Sequence, residues 1–254
     1  MSTQVQTAIG KFVWHDNVTT DVEAAKSFYT QLFGWELEVI SVGGSDYPMI
    51  KSGEKSHGGF GPAEGGAPSH WLGHVLVEDV DETAETAKSA GGNVLVEPFD
   101  IQKIGRMAVI ADAQGAVLSA FQAAGESDSP PAEGVFVWDE LLTTDVEDAK
   151  RFYGEVFGWT SQDVDMGTMG TYTIFKRAGD ADAGGLMRIP DGTQAPPNWL
   201  VYIGTDDVDG TIERAKELGA AVIQEGMDIP NVGRFGVLQD PAGAVFGILK
   251  TTGG

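Results

Sequence analysis

A segment of 24 residues recurs in this chain in closely similar form. Phe12 to Trp35 reads FVWHDNVTTDVEAAKSFYTQLFGW and Phe136 to Trp159 reads FVWDELLTTDVEDAKRFYGEVFGW; every position returns 124 residues later, with no gap inside the match. Self-similarity at a fixed period constrains architecture before any single element does. Later anchors return at a second offset. Trp71 recurs as Trp199, Val80 as Val208, Gly105-Arg106 as Gly233-Arg234 and Asp112 as Asp240, all 128 residues apart. The net insertion of four residues falls around Val39–Trp71 and its copy, where loops absorb length changes.

Inside the repeat the pattern is strand, helix, strands. Lys11 to Asp16 alternates as a strand. Thr19-Thr20-Asp21 then opens a helix with a capping side chain and an early acidic residue, Glu23. Val22, Ala25, Phe28, Tyr29, Leu32 and Phe33 form an apolar stripe at helical spacing, and Gly34 stops it. Trp35–Ile40, Tyr47–Lys51 and Gly58–Phe60 read as strands. The order then begins again: strand Trp71–Val77, helix Asp79–Ala90, strands Val94–Glu97, Arg106–Asp112 and Ala116–Phe121. The spacing predicts two domains, 9–123 and 134–250, each of two such units, with a polar Pro-Pro linker over 124–133 and a loose tail over 1–8. Asp112 and Asp240 sit where tight turns form.

Composition limits the partners. Sixteen Lys and Arg against 38 Asp and Glu give a formal charge of −22. A field of that sign repels phosphate backbones and anionic membranes, so neither nucleic acid nor membrane is an expected partner. No Cys is present, which removes disulfides, thiolate metal sites and Cys nucleophiles. With a polar N-terminus, MSTQVQT, and no long apolar run, a cytoplasmic protein is expected.

Four strand-helix-strand-strand-strand units, with DVxxAxxFYxxxFGW after the first strand and D-x-x-G before the last, resemble the vicinal oxygen chelate superfamily of glyoxalases, bleomycin-resistance proteins and extradiol dioxygenases. The paired FVW…TTDV and GRxxVxxDxxGAV motifs resemble its two-domain actinobacterial glyoxalase-like members, some labelled hydroxylases. The resemblance spans Ile9 to Lys250 and implies an α+β fold of tandem βαβββ modules whose curved mixed sheets form cups around a ligand. It also implies a divalent metal held by His and Glu of the first and last strands. The matching positions here are Trp14, Leu72 and Ser119, and in the copy Trp138, Leu200 and Gly247, none of them a good ligand. No metal site and no cofactor are therefore expected.

All four His lie in the first half: His15, His57, His70 and His74. His70 and His74 on one extended strand sit about 13 Å apart at roughly 3.3 Å per residue, too far to share an ion. His15 with His74, helped by Asp16 or Glu78, remains as a metal-binding alternative. Candidate acid–base residues are His15, His74 and Tyr202, the last replacing His74 in the copy. Candidate ligand-binding residues are Trp14 and Trp138 for stacking, His74 and Tyr202, and Arg106 and Arg234, which offer either a clamp for ligand oxygens or structural ion pairs. These features leave three functions open: a metal-free cup binding an aromatic or cationic small molecule, a glyoxalase-, lyase- or hydroxylase-type enzyme, or a stress-related or partner-binding protein with non-catalytic cups. Duplication favours a pseudo-symmetric monomer, with a homodimer as the alternative.

Overall fold

The computed structural model describes residues 8–124, 135–167, 170–190, 192, 193 and 195–252. The expected linker, after Ala124, and residues 1–7 of the expected tail lie outside the described residues.

The architecture is α+β and built from four βαβββ modules. The first comprises β1 (Phe12–Thr19), α1 (Val22–Phe33), β2 (Glu36–Val42), β3 (Ser45–Ser52) and β4 (Lys55–Pro62); the second β5 (His70–Leu76), α2 (Val80–Ser89), β6 (Asn93–Ile101), β7 (Gly105–Ala111) and β8 (Val117–Ala123). The third comprises β9 (Phe136–Thr143), α3 (Val146–Phe157), β10 (Thr160–Asp165), β11 (Thr171–Arg177) and β12 (Ala181–Arg188); the fourth β13 (Asn198–Gly204), α4 (Val208–Glu217), β14 (Ala221–Ile229), β15 (Gly233–Gln239) and β16 (Val245–Thr251). Two curled, mixed eight-stranded sheets result, ordered β2-β3-β4-β1-β5-β8-β7-β6 and β10-β11-β12-β9-β13-β16-β15-β14.

Local chemistry explains the elements. The helix of each module begins at an Asp whose carboxylate accepts a backbone N–H three residues on: Asp21, Asp79, Asp145 and Asp207, at 3.0–3.1 Å. The long helices α1 and α3 end at Gly34 and Gly158, both left-handed (φ 69° and 67°) as the stop requires. β1 continues to Thr19, three residues beyond the expected end. β6 continues to Ile101, four residues beyond the expected end at Glu97, and so runs through Pro98, which cannot donate to a ladder. It is tolerated because β6 is the outer strand of its sheet and its pairing with β7 shifts register twice.

Residue contacts divide the chain into two compact units, each taking modules from both sequence halves. Among the described residues, one unit contains 8–14, 73–124 and 139–199, the other 15–72, 135–138 and 200–252. The core of the second unit joins Phe28, Tyr29 and Leu32 of α1 to Ile212 of α4 and Phe246 and Ile248 of β16. That of the first joins Ala87 of α2 and Ile110 of β7 to Phe152, Tyr153 and Val156 of α3.

A polar triad repeats in the two cores. Tyr29 donates to Asp240 at 3.0 Å and accepts from the Trp71 indole at 2.9 Å; Tyr153 donates to Asp112 at 3.0 Å and accepts from Trp199 at 2.8 Å. Each Asp also performs the expected turn role, its other oxygen accepting the N–H groups of Gln114 and Ala116, or Ala242 and Ala244. Burial raises both carboxyls above the usual range despite these donors, and it raises both tyrosines well above theirs. A phenol–carboxylate bond of this kind contributes about 1.5–3 kcal/mol. The triads therefore fix which modules share a core.

Candidate functional site

Alternation along β1 sorts the candidate residues by face. His15, Asn17 and Thr19 are buried, whereas Trp14, Asp16 and Val18 are half-buried on the opposite face. The His15 ring lies 4.3 Å from that of Phe136, which also packs on Trp35 and Trp71. That environment is the unit's core, so His15 is placed as a packed histidine. His74 is buried on β5, in register with Ser119 of the parallel strand β8.

In the fourth module the equivalents of His74 and Ser119 are Tyr202 and Gly247, again in register. The Tyr202 ring lies over Gly247 so closely that a Cβ there would run into it. Tyr202 joins Leu200 and Leu249 in a buried apolar cluster, against which Trp138 and Phe235 pack; the Phe235 ring is 6.3 Å away at 65°. Trp138 thus packs on an apolar cluster, and Tyr202 is largely enclosed.

The two arginines serve the scaffold. Arg106 forks onto Asp81 in the first turn of α2 at 2.7 and 2.9 Å and reaches Asp100 at 2.8 Å. Arg234 does the same with Asp209 of α4, at 3.1 and 2.8 Å, and Asp228, at 3.0 Å. The Arg hydrogen bonds lower the Asp81 and Asp209 carboxyls below their ordinary value. Of the two roles the sequence leaves open for these arginines, the ion pairs are the one present.

At the positions that the resemblance assigns to a divalent ion, the side chains present are not those of its ligands. Leu72 and Leu200 are buried apolar groups, the Ser119 hydroxyl is directed at the Ala120 carbonyl at 3.3 Å, and the Tyr202 ring takes the space of any side chain at position 247. Among the described residues, no group of three or more His, Asp or Glu is placed to hold one ion. A groove of about 260 Å³ walled by Glu78, Glu82 and Glu155 contains, of the residues weighed above, Glu78 alone.

What sequence reasoning misses is a carboxylate–phenol pair in each half. Tyr47 of β3 donates to Asp16 of β1, and Tyr172 of β11 donates to Glu140 of β9 at 2.8 Å. Register gives both pairs one construction. Met49, Gly59 and Asp16 lie in a row across three strands, as do Ile174, Gly185 and Glu140, and each Tyr precedes the first member of its row by two residues. Gly59 has a specific task, since a Cβ there would strike the Tyr47 ring. Its neighbour Gly58 is required for a different reason: a side chain would meet the His15 carbonyl of the adjacent strand. The sequence signal was the recurrence of Gly-Gly, Gly58-Gly59 and Gly184-Gly185, alongside a Tyr in the preceding strand.

The module pattern agrees with comparison to known proteins. The family model for the Glyoxalase/Bleomycin resistance protein/Dioxygenase superfamily matches residues 12–119 and again 136–248. The chain belongs to this superfamily. Among its relatives, CFP32 of Mycobacterium tuberculosis, which carries a provisional glyoxylase name, is 39% identical over 245 residues, covering 93% of both chains. The anthracycline biosynthesis protein DnrV of Streptomyces peucetius is 32% identical over 262 residues, covering 96% of this chain and 94% of its own. Among solved structures, the Mn(II)-bound glyoxalase from Novosphingobium aromaticivorans shares the superfamily fold at a TM-score of 0.62 and 17% identity, over 95% of this chain and 82% of its own. No helix among the described residues is long and apolar enough to cross a membrane.

Proposed function

We propose that this superfamily member binds a small organic molecule in a cup lined by its sheets, without the divalent ion used by metal-dependent superfamily members. The observation that carries the reading is the replacement of ligand-type side chains at both loci, above all the Tyr202 ring over Gly247. The similarity to an anthracycline biosynthesis protein supports a fused-ring aromatic ligand, and a net charge of −22 supports a cationic one. Elemental analysis after incubation with Zn, Ni, Fe and Mn, run beside a fluorescence titration with daunorubicin, tests this. Saturable binding without bound metal is expected. Stoichiometric metal that is lost on His74→Ala would overturn the reading in favour of a metalloenzyme.

A further inference from the structure

We propose that β2 is a pairing edge for a second copy of this chain, joined antiparallel to the partner's own β2 about a two-fold axis at Val39.

The first argument is a contrast among edges. Four strands end the two sheets: β2, β6, β10 and β14. β6 and β14 each carry two register shifts against their neighbours, every one an extra residue in the outer strand. Bulges of this kind bend an edge and spoil it as a template for pairing. β10 has no shift, but it reads TSQDVD, with Asp163 and Asp165 and no exposed large apolar residue. β2 reads ELEVISV and pairs with β3 without interruption, from Glu36–Lys51 to Val42–Ser45, and its central Val39 is 57% exposed. The position equivalent to Val39 in the second half is Asp163, so the halves differ at the centre of this edge.

The second argument is self-complementarity. An outer strand presents a row of N–H and C=O groups to any strand that can match it. Centred on Val39, an antiparallel pair engages all 7 residues of β2: Val39 opposes Val39, Glu38 opposes Ile40, Leu37 opposes Ser41 and Glu36 opposes Val42. No two carboxylates then face each other. Centring on Glu38 sets that residue against itself, and centring on Leu37 sets Glu36 against Glu38; like charges directly opposite are destabilising. Centring on Ile40 leaves Glu36 and Leu37 unpaired. Within its own chain Glu38 is bound to Lys51 at 2.9 Å, which offsets negative charge along this edge.

The test has two parts, both on the intact chain. Sedimentation equilibrium in about 0.5 M salt, which shortens the reach of repulsion between two copies of formal charge −22, should show a mass rising with concentration from one chain toward two. Val39→Asp, which sets like charges opposite at the axis, should weaken the dimer about tenfold. Ile223→Asp, at an equally exposed residue on the bulged edge β14, should leave it unchanged. The register is read by thiols, since the chain has no cysteine to interfere. Val39→Cys should give a covalent dimer under mild oxidation, because opposite Cβ atoms in an antiparallel pair lie about 4.5–5.5 Å apart, close to disulfide spacing. Ser41→Cys should not, because its two copies stand about 13 Å apart, at roughly 3.3 Å per residue. A single-chain mass at every concentration overturns the proposal and turns the search to an extended segment of another protein. Equal effects of Val39→Asp and Ile223→Asp, or equal crosslinking of the two thiol variants, overturn it as well. Should Val39→Asp fail to fold, the comparison of the two thiol variants still decides.

Discussion

Replacing Asn17 by Leu should stabilise the protein. Asn17 is fully buried on β1, in register with the core residue Phe60, and neither its amide nitrogen nor its oxygen has a hydrogen-bond partner. Its copy in the second half is Leu141, fully buried in the other core. An unsatisfied buried donor or acceptor costs about 1–3 kcal/mol, so removing two is worth roughly 2–6 kcal/mol; the bulkier Leu costs about 1–3 kcal/mol in overpacking. The net expectation for Asn17→Leu is a gain of about 2 kcal/mol, or a rise of roughly 4–8 °C in the melting temperature of a chain of this size. Urea titrations of the two proteins would measure it as a higher midpoint at an unchanged slope. A midpoint equal to or below wild type would refute the reasoning, because it would mean that the Asn17 amide is satisfied, for example by a buried water.

Three further outcomes follow from the same geometry. Asp112 and Asp240 have folded-state carboxyls raised above the unfolded value, so their contribution to stability is complete below the unfolded pKa and is lost as pH rises through the folded one. Urea midpoints of Asp112→Asn/Asp240→Asn should therefore fall less than those of wild type as pH is raised from about 4 toward neutrality. Gly247→Ala should cost about 1–3 kcal/mol by pressing on the Tyr202 ring, and a double-mutant cycle with Tyr202→Ala should recover most of it; additive losses would contradict the contact. Finally, fragments 1–124 and 135–254, each poorly folded alone, should copurify when coexpressed, since each compact unit draws modules from both. Two independently stable monomeric fragments would show that the shared cores are dispensable.

Much of the fold was legible because the repeat states it twice. Cap residues, the Phe28-Tyr29 stripe and the Gly34 stop all point to the helix that forms. The fourfold module order followed from their recurrence. The triads were not legible, since Asp112 and Asp240 already have a local reason to exist as turn formers, and nothing local announces a second bond to Tyr153 or Tyr29. At the candidate site the sequence shows only substitutions: Trp14, Leu200 and Gly247 stand at the positions that the resemblance assigns to metal ligands. The Asp16–Tyr47 and Glu140–Tyr172 bonds were hidden because a diagonal contact across a glycine depends on strand register, which periodicity leaves undetermined.

The triads also set an order of events during synthesis. Tyr153 and Asp112 are 41 residues apart in the chain, whereas Tyr29 and Asp240 are 211 apart. Closing the longer loop costs about 1.5 kcal/mol more in chain entropy, but timing matters more. One unit can close once residue 199 has left the ribosome; the other, begun at residue 15, waits for β16 at the far end. For most of translation the apolar face of α1 has been made and its partner has not, which makes α1 one of the last helices to be covered and the segment most in need of protection from aggregation.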